Sequence, residues 1–489
     1  MNKHLKIAII GLDGANKTTA QLVGLKMDKI HDFISTIPPY TPPAWTSIFT
    51  GVNPAKHGII GWQNVDIHTI KTKLVSSYDV KALRLSEMLD VAGFNSVIVN
   101  LPMTYPFSGI KHRQNTVIVS DWAAPEQTVY PKKLSQKYKE YLIDPPHDWI
   151  KYASDRRDYA SIVREYTETR IEMYYDLYEN VDWNLFFIVF SETDWFSHIY
   201  PEILEGKDTR LVKPTFSLIH KFIKEIQNTA DFTFIVSDHG FEVKNKLFHV
   251  NTALAKGDFI KYNVAKLKLA RLASKIIPDR LLRKAVEKTG GPSNVLEATL
   301  RPETTKAFMP TETTTWGIYV RDKNIADEVV KYLQGFEEIE KVIRTEELYS
   351  GPYLDRLPTL FIVPKEGVEY SYRLSDDITK STYIGDHEIH GIFSVSGDGI
   401  SGDILFENIP TVFDIAPTLL HLFGLPIPND MDGRVLMEIF EPESEFAKRK
   451  PKYVNFGYYR RKYEDKTLKR VLKNLDLKNE KTKVKGESK

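Results

Sequence analysis

The sequence predicts an α/β fold in which a doubly wound, mostly parallel sheet is sandwiched by helices. The first observation is a series of short apolar runs, rich in β-branched residues and bounded by turn residues, which is typical of buried parallel strands. These runs are Lys6–Leu12, Ser96–Asn100, Thr116–Ser120, Trp183–Phe190 and Phe232–Ser237. The second observation is that segments of helical period, such as Val80–Val91 and Tyr159–Tyr178, lie between them. This alternation favours a parallel sheet with helices on both faces.

Acidic residues follow three of these strands. Asp13 ends the first run, Asp194 lies shortly after Phe190, and Asp238 follows Ser237. Ligands of open α/β sheets gather at the carboxyl ends of the strands. We therefore expect the three carboxylates to face one site.

The length of 489 residues exceeds what one hydrophobic core usually serves. We predict a catalytic domain over residues 1–440, a cap inserted into it at about 252–383, and a basic tail over 441–489. The insertion begins with a basic helical pattern over 265–288 and continues with β-like pieces at Trp316–Val320 and Thr359–Val363. The helical pattern Val412–Phe423, which Gly424 ends, closes the globular part.

The chain contains no cysteine. This excludes disulfides, thiolate metal sites, thiol nucleophiles and iron–sulfur clusters, and it leaves oxygen and nitrogen ligands for any metal. The apolar runs are too short to cross a bilayer, and Asp13 interrupts the N-terminal run too early for a secretory signal. We therefore predict a cytoplasmic protein without a transmembrane segment.

The net charge of +1 hides a basic C-terminus, because Lys448–Lys489 holds 16 Lys and Arg against 5 Asp and Glu. Clustered cations attract any polyanion, so nucleic acid, anionic lipid or an acidic face of another subunit are candidate partners. A solvated, partly helical tail is the interpretation we favour. Aromatic residues among the charges, Tyr453, Phe456, Tyr458 and Tyr459, offer a third interpretation, in which the first part of the tail docks on its own domain.

Thr41-Pro42-Pro43 predicts the start of a helix, because threonine is a good N-cap and proline fits the first helical position. A hydroxyl at a helix N-terminus also lies in a field that favours an alkoxide and a bound phosphate. The motif has two interpretations, a plain cap or a nucleophile, and taken alone it favours the cap.

Carboxylate and imidazole groups recur in three further motifs. Asp194 and His198 are spaced i, i+4, which places them on one face of a helix. Asp238-His239-Gly240 follows a strand, and the loop from Gly385 to Gly391 contributes His387 and His390. Together these groups are suited to zinc or manganese.

With these residues in order, the sequence resembles the alkaline phosphatase superfamily, in particular its type I phosphodiesterase and nucleotide pyrophosphatase branch. The resemblance runs from Ile7 to about Leu436. It rests on the following stretches: Gly11-Leu12-Asp13-Gly14, Thr41-Pro42-Pro43, Thr50-Gly51, Asn53 to Gly58, Asp194 with His198, Ser237-Asp238-His239-Gly240 and Asp414 to Leu420.

The resemblance implies an alkaline-phosphatase-like fold and two divalent metal ions, Zn²⁺ first and Mn²⁺ second. One ion would be held by Asp194, His198 and His387, and the other by Asp13, Asp238, His239 and the Thr41 oxygen. His390 competes with His387, because the spacing to Gly391 can be counted from either; we favour His387. We interpret four other histidines as structural: His57, His220, His249 and His421.

The implied reaction is hydrolysis of a small phosphoester, with a phosphodiester or pyrophosphate bond preferred and Thr41 carrying a covalent phosphoryl intermediate. Sulfatases of the superfamily carry a modified cysteine or serine where this chain has Thr41. Nucleotide pyrophosphatases of the branch have an asparagine after the nucleophile, and none lies between Thr41 and Gly51. The candidates for its role are backbone N–H groups after Thr41, Lys17 and Asn100.

Two other functions fit the same residues. One is a phosphomonoesterase or phosphoryl-transfer enzyme of the same superfamily. The other is a metal-binding module without catalysis, which the full ligand set disfavours.

Overall fold

Eight strands form the central sheet of the computed structural model, which describes residues 4–138, 141, 155–263, 265–267, 269, 299–311 and 316–468. In spatial order the strands are His31–Ile34, His390–Gly397, Phe232–Val236, Ile7–Leu12, Leu185–Phe190, Ser96–Val99, Thr116–Val119 and Val129–Tyr130. The five strands from Phe232–Val236 to Thr116–Val119 are parallel, and the outer pairs are antiparallel. The predicted mostly parallel sheet and all five predicted strands are confirmed.

Apolar side chains cover both faces of this sheet. Every residue of Ile7–Leu12 and of Leu185–Phe190 is buried, and successive side chains of a strand point to opposite faces. Phe187 accordingly packs in one core with Trp45, while Phe186 packs in the other with Phe222. A strand buried on both faces must be apolar throughout, which is why the runs were visible in the sequence.

Helices supply the covering layers. Their bounds are Lys17–Val23, Thr41–Thr50, Pro54–His57, Leu85–Ala92, Arg156–Asn180, Glu192–Ile199, Lys213–Thr229, Val250–Lys256, Ala326–Leu333, Thr345–Leu348, Ile415–Leu422 and Glu445–Lys448. The helix predicted at Val80–Val91 begins only at Leu85, where Arg84 is the N-cap and Glu87 accepts a hydrogen bond from its backbone N–H. None of the described helices combines the length and the apolar character needed to cross a bilayer.

Smaller sheets form the remainder. A three-stranded sheet has the order Val368–Ser371, Gly240–His249, Thr379–Glu388. A four-stranded sheet has the order Ala307–Phe308, Gly317–Val320, Leu360–Pro364, Ile339–Arg344. There are also two two-stranded sheets: Gln63–Asp66 pairs antiparallel with Lys71–Leu74, and Ile427–Pro428 pairs parallel with Tyr453–Val454.

The four-stranded sheet lies in the region where we predicted an insertion. Both β-like pieces predicted there are strands, and their side chains share a separate apolar core with the helix Ala326–Leu333. The three-stranded sheet crosses the predicted boundaries, because Gly240–His249 precedes residue 252 and Thr379–Glu388 continues past 383. Most of the basic helical pattern at 265–288 lies outside the described residues, and the division into domains stays a prediction.

The first part of the basic tail packs on the globular part. Residues 458–468 are helical, and Tyr459 is 1% exposed with its hydroxyl donating to Pro426 O at 2.7 Å. The Tyr463 ring lies 3.6 Å from the His112 ring. The docked interpretation therefore holds for this part, although we favoured a solvated tail. Residues 469–489 lie outside the description.

A buried ion pair joins the long helix Arg156–Asn180 to the helix Glu192–Ile199. Arg170 Nη1 lies 3.1 Å from Glu192 Oε1, and both side chains are fully buried. Thr167 donates a hydrogen bond to the same carboxylate oxygen at 3.1 Å, and the guanidinium lies 4.6 Å from the Trp195 ring centroid. The pair holds the first residue of the helix that carries Asp194.

Replacing Arg170 by methionine should lower the free energy of unfolding by about 3–5 kcal/mol, because the Glu192 carboxylate would stay buried without its partner. Urea denaturation measures the loss. The matched control is Arg164→Met on the same helix, whose exposed pair with Glu168 contributes less than about 1 kcal/mol. Equal losses in the two variants would contradict this account of the buried pair.

Candidate active site and metal centre

The three strand-end carboxylates converge at one edge of the central sheet. Ile7–Leu12 lies between Leu185–Phe190 and Phe232–Val236, and all three strands run parallel. Their carboxyl ends therefore lead into Asp13, Asp194 and Asp238 side by side. The Thr193 hydroxyl donates to Asp13 O at 2.5 Å, which ties two of these strand ends together.

The first cluster consists of Asp194, His198 and His387. Asp194 Oδ1 lies 3.7 Å from His198 Nε2 and 3.5 Å from His387 Nε2. His198 Nδ1 lies 3.2 Å from Gly385 O, and His387 Nδ1 lies 3.1 Å from Pro39 O. A carbonyl oxygen only accepts, so each Nδ1 carries the proton and each Nε2 faces the Asp194 carboxylate, where it could coordinate a cation.

The second cluster consists of Asp13, Asp238 and His239. His239 Nε2 lies 3.3 Å from Asp238 Oδ2 and 3.7 Å from Asp13 Oδ1, and its Nδ1 lies 3.1 Å from Gly240 O. Two donors orient the carboxylates: Trp45 Nε1 donates to Asp13 Oδ2 at 3.2 Å and Gly14 N to Asp238 Oδ1 at 3.1 Å.

One strand pair places the two clusters next to each other. Gly240–His249 and Thr379–Glu388 are antiparallel neighbours in which Phe241 pairs with His387. The His239 and His387 rings consequently stack with centroids 3.9 Å apart. The Phe241 ring lies within 4.8–5.7 Å of the three imidazole centroids. The sequence motifs did not lead us to predict that Phe241 packs against these histidines. Its position directly after Asp238-His239-Gly240 was the available signal.

The two clusters fit divalent cations. Asp13 Oδ1, Asp194 Oδ1 and Asp238 Oδ2 are buried and accept no hydrogen bond within the described residues. Burial, together with the charges of Asp238 and Asp194, raises the pKa of Asp13 well above its ordinary value, and burial raises the pKa of Asp238 to about 8. Burial lowers the pKa of His239, which keeps the imidazole neutral as a ligand must be. Cations beside these oxygens would remove the repulsion between the carboxylates.

Thr41 lies beside the second cluster, with its Oγ1 3.2 Å from His239 Nε2. It is the first residue of the helix Thr41–Thr50, whereas Tyr40 is the N-cap, so our placement of Thr41 at the cap position was wrong by one residue. No cap hydrogen bond is made by a side chain at this N-terminus. The buried hydroxyl therefore faces the second cluster and does not cap the helix.

Each group that we considered as a hydrogen-bond donor to a phosphoryl oxygen has another partner in the structure, or has no N–H. Asn100 Nδ2 donates to Val189 O and Ser191 Oγ, and Lys17 pairs with Asp32 at 2.7 Å. Pro42 and Pro43 have no N–H, and Ala44 N donates to Tyr40 O.

The other histidines of the described residues lie outside both clusters. His390 is half-exposed, and its Nδ1 lies 2.7 Å from Glu388 Oε1, so the geometry favours His387 in the cluster. His57 is fully buried; its Nδ1 accepts from Ile59 N and its Nε2 donates to Ser47 Oγ at 3.0 Å. His421 Nε2 lies 2.9 Å from Phe446 O. These contacts agree with structural roles for His57 and His421.

Residues 25–391 match the type I phosphodiesterase/nucleotide pyrophosphatase family. Among curated proteins, a putative extracellular sulfatase Sulf-1 homolog from Caenorhabditis elegans is 34% identical over 108 residues. The match covers 17% of this chain, and the chain spans only 15% of that relative's length.

Solved structures share the fold. Phosphonoacetate hydrolase from Sinorhizobium meliloti, in complex with phosphonoformate, is 14% identical with a TM-score of 0.56, over 84% of this chain and 94% of that chain. An inactive threonine-to-alanine form of murine ectonucleotide pyrophosphatase/phosphodiesterase 5, in complex with AMP, is 14% identical with a TM-score of 0.51, over 87% and 96% of the two chains.

The buried His57 should make the protein acid-sensitive. Burial lowers its pKa from 6.5 to about 3, so between these values the unfolded chain binds a proton that the folded chain does not. Stability from this group is present above pH 6.5 and is lost as the pH falls. Urea denaturation should show wild type losing about 1.4 kcal/mol more per pH unit than His57→Gln between about pH 6 and about pH 4. If the free energies of unfolding of the two proteins change with pH in parallel, the burial of a neutral His57 is not a source of acid sensitivity.

Replacing His387 by alanine should weaken Zn²⁺ binding at the first cluster by more than about tenfold, because this cluster would lose one of its three candidate ligands. Calorimetric titration of the metal-stripped protein measures both sites. His390→Ala, three residues away, is the matched control and should bind like wild type. If His390→Ala binds Zn²⁺ more weakly while His387→Ala binds it like wild type, His390 and not His387 is the ligand.

Proposed function

We propose that this chain, which belongs to the type I phosphodiesterase/nucleotide pyrophosphatase family, is a metal-dependent phosphoester hydrolase that uses Thr41 as its nucleophile. The observation that carries the proposal is the position of the Thr41 hydroxyl, 3.2 Å from His239 and beside two adjoining carboxylate–imidazole clusters. The inactive threonine-to-alanine form of the murine relative supports a threonine in this role.

Asp194, His198 and His387 would hold one divalent cation, and Asp13, Asp238, His239 and the Thr41 oxygen the other. Such cations, for which we propose Zn²⁺ before Mn²⁺, lower the pKa of a hydroxyl and neutralise phosphoryl oxygens when bound. The chain contributes position: three backbone carbonyls fix the imidazoles, and the Trp45 indole and the Gly14 N–H fix two carboxylates.

The Thr41 hydroxyl would lose its proton to solvent, and its oxygen would attack phosphorus. A bond then forms from this oxygen to phosphorus while the bond from phosphorus to the leaving oxygen breaks, and the leaving alcohol or phosphate takes up a proton from solvent. The positive end of the helix Thr41–Thr50 favours the anionic phosphoryl group at this point. Water would then attack the same phosphorus, release phosphate or its monoester, and restore the Thr41 hydroxyl.

For the substrate we propose a small molecule with a phosphodiester or pyrophosphate bond. The family match favours this class, and the murine relative was crystallised with AMP. A phosphomonoesterase of the same superfamily is the second candidate, favoured by the absence of an asparagine between Thr41 and Gly51, where nucleotide pyrophosphatases of the branch have one. A threonine at position 41 and a chain without cysteine disfavour a sulfatase. A cytoplasmic location is part of the proposal.

Replacing Thr41 by alanine should lower turnover at least about a thousandfold, because no hydroxyl would remain to attack phosphorus. The measurement is hydrolysis of bis-p-nitrophenyl phosphate and p-nitrophenyl phosphate by the zinc-loaded protein, and the faster ester distinguishes the two candidates. Mass spectrometry of acid-quenched wild type should find the phosphoryl group on Thr41.

The matched control is Thr46→Ala, five residues further along the same helix, whose hydroxyl donates to Pro42 O. It should turn over like wild type. Full activity in Thr41→Ala would end the threonine mechanism. Zinc binding without turnover in wild type would favour a metal-binding module.

A further inference from the structure

The region predicted as an insertion reaches both ends of the Thr41 helix through one short segment, residues 349–353. Before the helix, the Tyr349 hydroxyl accepts a hydrogen bond from Ile37 N at 2.7 Å and donates one to Ile37 O at 2.9 Å. After the helix, Asn53 Nδ2 donates to Ser350 O at 3.1 Å and Tyr353 N to Ala55 O at 2.9 Å. The segment therefore brackets the unit that carries Thr41.

The loop held by Tyr349 also carries a contact of the metal centre. Ile37 lies two residues before Pro39, whose carbonyl oxygen is 3.1 Å from His387 Nδ1. Between Ile37 and Thr41, Pro38 and Pro39 have fixed φ angles, and the Thr36 hydroxyl donates to Pro38 O at 2.6 Å. A displacement of Ile37 would thus pass to both the His387 imidazole and the Thr41 hydroxyl.

The contact is tight on both sides. Tyr349 is 7% exposed, and its single hydroxyl satisfies both backbone groups of Ile37. A Cβ at Gly351 would lie 2.4 Å from Ala55 O, so the two backbones approach more closely than any side chain allows. Ile37 itself packs against the apolar core of the four-stranded sheet.

We propose that Tyr349 is a positioning residue, through which the predicted insertion sets the place of Thr41 relative to the His387 side of the metal centre. The inference rests on the proposed function, because it assigns Tyr349 to the reaction of Thr41. Tyr349 acts through Ile37 and Pro39 rather than on the substrate. Its loss should therefore lower kcat and leave KM unchanged.

The test is Tyr349→Phe, which keeps the ring and removes both hydrogen bonds to Ile37. With the faster p-nitrophenyl ester we expect kcat to fall about tenfold to a hundredfold, since a misplacement near 1 Å costs that much, and KM to stay within about twofold. Zinc titration of the metal-stripped variant should show weaker binding at one site, because the partner of His387 Nδ1 has shifted. This readout does not depend on activity.

The matched control is Tyr319→Phe in the four-stranded sheet, where a buried tyrosine donates its hydroxyl to Arg356 O at 3.3 Å. This variant should keep wild-type kcat and zinc affinity, although its thermal stability should fall about as much as that of Tyr349→Phe. Gly351→Ala is a second variant, which retains the Tyr349 hydroxyl but pushes on Ala55, and it should also lower kcat. If Tyr349→Phe does not fold, Gly351→Ala with normal kcat overturns the proposal.

Wild-type kcat and zinc affinity in a folded Tyr349→Phe would overturn the positioning role, while loss of turnover in Thr41→Ala would leave the proposed function standing. If Tyr319→Phe loses as much kcat and zinc affinity as Tyr349→Phe, the effect is one of general stability, and the positioning role is overturned as well. If wild type hydrolyses neither ester, the proposed function fails, and the zinc titration alone decides whether Tyr349 positions the metal centre.

Discussion

The burial of three carboxylates at neighbouring strand ends is the constraint on which the rest of the site depends. Parallel strands lie about 4.8 Å apart, so Asp13, Asp194 and Asp238 cannot separate without breaking the sheet. Burial and mutual repulsion raise the pKa of Asp13 and Asp238, and buried oxygens of all three accept no hydrogen bond from the described residues. An apolar sheet covered on both faces is rigid enough to hold this unfavourable arrangement, which divalent cations would convert into a favourable one.

The imidazoles are aligned by main-chain atoms. The Nδ1 atoms of His198, His239 and His387 face the carbonyl oxygens of Gly385, Gly240 and Pro39, so each Nε2 is directed to a carboxylate. A backbone carbonyl oxygen accepts a hydrogen bond whatever side chain its residue carries. The alignment therefore depends on the paths of three loops, and the pairing of Gly240–His249 with Thr379–Glu388 sets two of those paths together.

The position of the main chain also links the region that we predicted as an insertion to the site. The three-stranded sheet carries His387 on one strand and begins another directly after His239. Residues 349–353 meet the chain on both sides of the Thr41 helix. The region that we predicted as a cap therefore contacts the segments on both sides of Thr41, the proposed nucleophile, and shares a sheet with the strand of His387, a proposed metal ligand.

The sequence by itself determined the class of fold, the five parallel strands and the order of the site motifs. These follow from local patterns, since a strand buried on both faces must be continuously apolar and a ligand-bearing loop must follow it. Tertiary structure alone placed His387 rather than His390 in the cluster with Asp194, because the chain turns at Ile389 and directs one imidazole to Asp194 and the other to Glu388. It also decided that the Thr41 hydroxyl faces His239 instead of capping its helix, and that Asn100 and Lys17 are occupied elsewhere. Spacing along a chain cannot encode these choices, because each depends on a partner brought close by the packing of distant segments.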